Sequence, residues 1–223
     1  MQVINSQLHL KNNGVDNFHP VLRFVAKAIS FIFHPLFIPV YLSWFLIYQH
    51  PLLPAFTSDD KIRLLVRFFI MYTVFPLVTI LLAKGLGFIN SIYLKTQKDR
   101  IIPYVACGVY YFWMWYVLHN QLEFPKVFVL LSLAIFLASS AGLLTNSFIK
   151  VSMHAISVGV MITFLLLLAL SDDSSFGIYL SAALFIAGLV CTARLITADH
   201  QPIEVYLGLV IGIVALLVAH MFV

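Results

Sequence analysis

Residues 151–170, VSMHAISVGVMITFLLLLAL, contain no Asp, Glu, Lys or Arg and are almost entirely apolar. A helix needs about 20 predominantly apolar residues to cross a bilayer, because its backbone polar groups must be satisfied within the helix. This stretch therefore predicts a membrane span. Its polar side chains include Ser152 and His154, both at the very start of the span.

Further apolar stretches lie on both sides of this span. They predict other spans at about 24–49, 66–89, 102–120, 127–146, 175–195 and 203–222. The first of these contains Pro35 and Pro39 and is expected to kink there. Only 10% of the 223 residues are charged, against about a quarter in a soluble domain. The mean hydropathy of +1.00 agrees. We therefore expect an all-α fold, a polytopic transmembrane helix bundle of about six to seven spans.

The chain divides into a polar N-terminal segment, 1–23, and a single transmembrane domain, 24–223. The N-terminal segment is too polar for a signal peptide, so the first span is expected to direct insertion. The location expected is the bacterial inner membrane. Cys107 and Cys191 lie in apolar runs without metal-ligand spacing, and no cofactor is expected. The net charge of +4 suggests anionic headgroups or an anionic substrate as partners, not nucleic acid. The oligomeric state is not indicated.

The connections between spans alternate between the two membrane faces. One face receives the N-terminus, residues 90–101, 147–150 and 196–201. The opposite face receives residues 50–64, 121–126, 171–174 and the C-terminus. Three polar clusters whose side chains could bind a ligand or take part in a reaction all fall on the first face. We therefore expect them to lie close together.

The first cluster is Lys95, Lys98, Asp99 and Arg100, in LKTQKDRIIPY just before a predicted helix. A solvated basic loop beside a membrane span is the simpler interpretation. The alternative is an anion site, because Arg presents a planar fork and Lys a point charge to phosphate oxygens.

The second cluster is Ser152 and His154 at the start of the 151–170 span. The free N–H groups of a helix N-terminus favour an anion. A serine in this position is more often an N-cap. An ionisable histidine one turn into a membrane helix usually faces a cavity or a partner.

The third cluster, within ARLITADHQPIEVYLG, contains Arg194, His200 and Glu204. Pro202 suits the first turn of the last helix, and Glu204 is four residues beyond His200. The simpler interpretation is a capping box closed by Glu204. The functional one is a carboxylate that binds one imidazole nitrogen and leaves the other as a nucleophile.

These clusters resemble the motifs of the type 2 phosphatidic acid phosphatase family, lipid phosphate phosphatases related to the vanadium haloperoxidases. The family pattern is Lys-x6-Arg-Pro, then Pro-Ser-Gly-His, then Ser-Arg-x5-His-x3-Asp-Val-x-x-Gly. The third motif, 193–208, matches in spacing, with Ala193 in place of Ser and Glu204 in place of Asp. The resemblance covers about half of the chain.

The other two motifs depart further from the family pattern. The second, 151–154, keeps the Ser and the His but has Val151 for Pro and Met153 for Gly. The first, 95–103, has Ile102 at the arginine position. Arg100 is the expected substitute, and Lys98 can share its role. Two predicted spans separate the first two motifs, which indicates a divergent branch.

The resemblance implies an enzyme that hydrolyses a lipid phosphomonoester or diphosphate through a phosphohistidine intermediate. It implies His200 as the nucleophile, Glu204 as the residue that orients it, and His154 as the general acid and base. Phosphate would be bound by Arg194, Arg100, Lys95, Lys98 and Ser152. No metal is implied. The partners would be membrane lipids and the lipid phosphate substrate: phosphatidic acid, phosphatidylglycerol phosphate or an isoprenoid (di)phosphate.

Several alternatives stay open. A metal-dependent hydrolase would use four residues, His154, Asp199, His200 and Glu204. A phosphotransferase of the same family, a non-hydrolytic anion transporter and an inactive lipid-binding relative are the others. The remaining histidines, including His34, His119 and His220, are expected to be packing or interfacial residues.

Overall fold

The computed structural model describes residues 18–49, 53, 56–92, 94, 96–171 and 176–223. All regular elements in these residues are helical, which confirms the predicted all-α class. The helices are α1 (Pro20–Ile32), α2 (Ile38–Trp44), α3 (Ser58–Gly85), α4 (Gln97–His119), α5 (Lys126–Asn146), α6 (Met153–Ser171), α7 (Gly177–Ile196) and α8 (Pro202–Phe222).

Six helices in the described part of the chain, α3 to α8, are long and apolar enough to cross a membrane. The chain is therefore an integral membrane protein, and the six candidate spans among its described residues lie within the predicted range of six to seven. Helix α3 begins at Ser58, well before the predicted start at 66. The reason is a capping box, in which Thr57 accepts the Asp60 N–H and the Asp60 carboxylate accepts the Thr57 N–H.

The predicted first span, 24–49, is two short helices and not one long one. Helix α1 ends at Ile32, and α2 begins at Ile38 and continues as a π-helical turn, Phe45–Gln49. Pro35 lies in the break, where its ring prevents a helical hydrogen bond and disfavours helical geometry at the preceding residue. The predicted kink is therefore a full break, and α1 begins at Pro20, inside the polar N-terminal segment 1–23.

Helix α8 packs against α6 and α5, while α4 packs on α5 and α7 on α6. Three glycines permit the closest approach, between α6 and α8. A Cβ at Gly159 or Gly212 would collide with a backbone carbonyl oxygen of the facing helix. A Cβ at Gly208 would lie 2.7 Å from the Ser152 carbonyl oxygen. Small residues at such crossings let helix backbones touch in membranes, and here they bring the start of α8 against the start of α6.

Contacts between helix ends define one end of the bundle, which we call the site end. The Gln97 amide at the start of α4 donates to the Asn146 carbonyl at the end of α5, at 2.8 Å, and the Asn146 amide donates to the Gln97 carbonyl at 2.9 Å. The segment from Ile38 to Gln49 leads away from this end, since Phe45 packs on Phe176 and Tyr179 near the start of α7.

Candidate active site

The three sequence clusters meet at the site end. The start of α4 contributes Arg100, the residues before α6 contribute Val151 and Ser152, and the α7–α8 connection contributes His200. The contacts among them join residues that are far apart in sequence. These contacts agree with the expectation that the three clusters lie close together.

His200 and Glu204 form the centre of the site. His200 Nδ1 lies 2.8 Å from Glu204 Oε2, and the side chains are 2% and 16% exposed. An ionised carboxylate only accepts, so the proton of the neutral ring is on Nδ1 and the lone pair is on Nε2. The same carboxylate oxygen accepts the Gln201 N–H at 3.2 Å. Glu204 therefore closes the capping box of α8 and also orients the imidazole, so both interpretations of the third cluster hold together.

Arg100 is buried and anchored by two backbone carbonyls. Its Nε donates to Leu94 O at 2.9 Å and its Nη1 donates to Val151 O at 2.7 Å. Its Nη2 is 3.5 Å from His200 Nε2, a long contact. The anchored guanidinium therefore presents its second terminal nitrogen to the unprotonated nitrogen of the imidazole.

Arg194 lies at the end of α7 with an incomplete set of partners. Its Nη2 donates to Asp199 Oδ2 at 2.9 Å. Its Nε is buried and has no hydrogen-bond partner among the described residues. A buried N–H without a partner is unfavourable unless water or an anion accepts it. Lys150 donates to the backbone carbonyl of Asp199 at 3.0 Å and adds a third cation beside the ring of His200.

The pKa of His200 is about 3, against an ordinary value of 6.5, chiefly because the ring is buried. The charges of Arg100, Arg194 and Lys150 lower this pKa in the same direction, and a hydrogen bond to the Lys150 backbone raises it. The Glu204 carboxylate also favours the protonated ring, but burial and the three cations outweigh it. The imidazole is therefore neutral near pH 7, as a nucleophile must be.

Ser152 is fully buried, and its N–H donates to the Glu204 carbonyl at 3.1 Å. Its hydroxyl accepts the Ala155 N–H at 3.4 Å, the arrangement of an N-cap. His154 is oriented differently, with Nε2 3.0 Å from the Ser30 carbonyl at the end of α1. Within the described residues, no hydrogen bond joins His154 to His200.

Lys98 of the first cluster is not part of this contact network. Lys98 is exposed in the first turn of α4. It is two residues from Arg100, and residues two apart on a helix do not share a face. Lys95 lies outside the described residues. Asp99 is buried and accepts the Asn90 N–H at 3.0 Å, so it shapes the loop before α4.

Backbone strain marks the two loops of the site. Leu94 has φ 49° and Ala198 has φ 51°, and they are the non-glycine residues with positive φ in the described part of the chain. This region costs an ordinary residue about 1–2 kcal/mol. Leu94 supplies the carbonyl that anchors Arg100, and Ala198 precedes Asp199, the partner of Arg194. Strain of this kind persists where the surrounding structure requires it, often at functional sites.

Two residues near the site have little sequence signal. Lys150 stands two residues before Ser152 but belongs to none of the three motifs. The sequence predicts His34 to be a packing or interfacial residue, and its ring does pack edge-on against His154, with centroids 5.3 Å apart. Its distance from His154 along the chain gave no local signal. The adjacent Pro35, which marks the break, is the one feature that points to it.

The metal alternative lacks a ligand set in this arrangement. Among the described residues, no group of three or more His, Cys, Asp or Glu side chains converges closely enough to hold a metal ion. His154 lies against Ser30 and His34, and Asp199 is bound to Arg194. The four residues proposed as ligands therefore do not form one group.

Fold and site together define an all-α integral membrane protein with a buried His–Glu pair and two arginines at one end of its bundle. Comparisons of the chain with protein-family models, with curated proteins and with solved structures found no match. The chemistry of the site is therefore inferred from its own residues.

Proposed function

We propose that this protein is a lipid phosphate phosphatase of the bacterial inner membrane, acting through a phosphohistidine intermediate. The observation that supports this most is the arrangement of His200. One ring nitrogen binds the Glu204 carboxylate, and the other faces the guanidinium of Arg100. A neutral nucleophile next to a cation suits attack on an anionic phosphoryl group.

In the first step, His200 Nε2 forms a bond to phosphorus while the bond between phosphorus and the lipid oxygen breaks. His154 starts as the imidazolium, with a proton on each ring nitrogen, and gives its Nδ1 proton to the departing oxygen, which leaves as an alcohol or, from a diphosphate, as the lipid monophosphate. In the second step, water gives a proton to His154 as its oxygen bonds to phosphorus. The P–N bond breaks and inorganic phosphate leaves, so both histidines return to their starting states.

Binding of the phosphoryl oxygens falls to the arginines in this proposal. Arg100 presents Nη2, and Arg194 has a buried Nε without a partner among the described residues. Cations in a site from which water is excluded stabilise the charge of the transferring phosphoryl group. Lys95 is proposed as a further contact. Ser152 contributes through its backbone, because its hydroxyl already caps α6. Lys98 is exposed and serves at most to attract anions.

The substrate in this proposal is an amphiphile whose phosphate reaches the site end while its chains stay in the bilayer. A site at the ends of membrane-spanning helices is at the depth of lipid headgroups. Phosphatidic acid, phosphatidylglycerol phosphate and isoprenoid mono- and diphosphates share this chemistry.

The test is phosphate release from a panel of these lipids by the purified, detergent-solubilised protein, with and without EDTA. His200→Ala is compared with His220→Ala, since His220 lies in the last turn of α8, at the end of this helix away from His200. We expect release that survives EDTA, disappears in His200→Ala and persists in His220→Ala. Release abolished by EDTA would favour a metal-dependent hydrolase. Phosphate appearing on another alcohol would indicate a transferase. No turnover would favour a transporter or a lipid-binding protein.

A further inference from the structure

His154 is held by a part of the chain that none of the three motifs contains. Its Nε2 lies 3.0 Å from the carbonyl oxygen of Ser30, which is among the last four residues of α1. Carbonyls in this position have no intrahelical donor and need another partner. Because the carbonyl can only accept, Nε2 of His154 carries a proton, and Nδ1 is the ring atom that can exchange one.

His34 adds a second restraint on the same ring. The two imidazoles are in edge-to-face contact, with an interplanar angle of 82°. His34 is itself fixed, because its Nδ1 accepts the Leu36 N–H at 3.3 Å. Leu36 is fixed in turn by the Thr73 hydroxyl of α3, which donates to its carbonyl at 2.8 Å. A chain of contacts therefore runs from a membrane span through the α1–α2 break to the ring of His154.

We propose that His34 is a positioning residue for His154, and that the Ser30 carbonyl and the His34 ring together hold the acid–base group in one tautomer and orientation. The proposal rests on the phosphatase function above and gives the α1–α2 break a role in it. General acid catalysis contributes about 10²–10⁴-fold to a rate, and it requires the donor to be placed within hydrogen-bond reach of the leaving group. Loss of the ring that packs against His154 should remove part of that factor.

His19 provides a matched control. It precedes Pro20 as His34 precedes Pro35, and its Nδ1 accepts the Val21 N–H at 3.3 Å, the same local contact. His19 is exposed, whereas His34 is partly buried against His154. A substitution at His19 therefore removes the same turn contact without touching His154.

Three substitutions separate the two contacts of His34. His34→Asn keeps an acceptor for the Leu36 N–H but removes the ring. His34→Phe keeps a ring of similar shape but removes that acceptor. His34→Ala removes both. If the ring is what positions His154, the His34→Phe variant should keep the wild-type activity, and the His34→Asn variant should lose activity as His34→Ala does.

The experiment compares kcat/KM for a long-chain alkyl phosphate and for p-nitrophenyl phosphate. For each substrate, kcat/KM reports the steps up to and including loss of the leaving group. An alkoxide needs a proton from His154, whereas p-nitrophenolate leaves without one. We expect His34→Ala and His34→Asn to lower kcat/KM for the alkyl phosphate by about tenfold or more, through kcat and not KM. The aryl phosphate should change by less than about twofold, and His34→Phe and His19→Ala should stay near wild type for both substrates.

Two results would overturn the positioning role. One is an equal loss on both substrates in the His34 variants, which would mean a purely structural effect. The other is wild-type activity in His34→Ala. Both differ from failure of the phosphatase function itself, which would show as no turnover of either substrate by the wild-type protein, or as full activity in His200→Ala.

Discussion

Ser152 and Glu204 are joined through their backbones, since the Ser152 N–H donates to the Glu204 carbonyl at 3.1 Å. The residue that caps α6 is therefore bound to the residue that orients His200. The start of α6 and the first turn of α8 cannot separate without moving the carboxylate. Any change that forces these two helix starts apart should affect catalysis and stability together.

Gly208→Ala is expected to force them apart. The added Cβ would lie 2.7 Å from Ser152 O and 3.0 Å from the Ala155 Cβ, and a backbone oxygen cannot rotate away. Overpacking of this kind costs about 1–3 kcal/mol. The melting temperature in detergent and the rate of phosphate release should both fall. Gly188→Ala is the control, because its Cβ would meet nothing within 4 Å, and a similar loss there would contradict the explanation.

Glu204→Gln is expected to lower kcat strongly while the protein stays folded. The amide keeps the shape of the side chain, but a neutral amide does not hold the proton on Nδ1 of His200 as the carboxylate does. The matching change of the orienting carboxylate to its amide costs about 10⁴-fold in kcat in a comparable triad. Glu123→Gln, an exposed residue at the opposite end of the bundle, is the matched control. A fully active Glu204→Gln would remove Glu204 from the mechanism.

Acidification is expected to destabilise the wild-type protein through His200. Its pKa is about 3 in the folded protein and near 6.5 in the unfolded chain, so the unfolded chain binds the extra proton first. The contribution is complete above about pH 6.5 and is lost as the pH falls towards 3, by up to about 1.4 kcal/mol per pH unit. Melting temperatures between pH 7.5 and 4.5 should therefore fall more steeply for wild type than for His200→Gln. Parallel curves would show that His200 titrates normally.

Ala198→Gly is expected to stabilise the protein by up to about 1 kcal/mol, because glycine adopts positive φ without the penalty that alanine pays. The present φ of 51° is the observation behind this. Ala182→Gly, at an exposed position within α7, should instead lower the free energy of unfolding by about 1 kcal/mol. Chemical denaturation of both variants measures the difference. A destabilised Ala198→Gly would show that the strain is compensated within the loop.

Most of the fold could be predicted from the sequence, because apolar runs that cross a bilayer are long and contain few charges. The predicted span 127–146 lies within one residue of α5, and 203–222 within one residue of α8. Two predicted spans fit less well: 66–89 begins well after Ser58, the first residue of α3, and 24–49 is equally apolar but broken at Pro35. Hydropathy reports burial in lipid and not the continuity of a helix, so it cannot distinguish one span from two short helices.

The site was predictable where its residues are close in sequence or where the alternation of the connections brings them together. The short spacing places His200 beside Glu204 at the start of α8, and the alternation places Arg100 near them. The contact between Ser30 and His154 joins residues 124 positions apart and depends on a carbonyl, which no side-chain pattern reveals. Lys98 is exposed because it lies on the outer face of α4. The run of charges at 95–100 does not by itself show which residue lies on that face.

The long range of these contacts also determines when they can form during synthesis. Ser30 and His34 leave the ribosome early, but their partner on α6 follows more than a hundred residues later. Arg100 meets His200 across 100 residues. Contacts of such separation form late, because the intervening chain must first be ordered. Arg100 therefore enters the bilayer before His200 has been synthesised, and a chain that ended before the α7–α8 connection would have Arg100 without this neighbour.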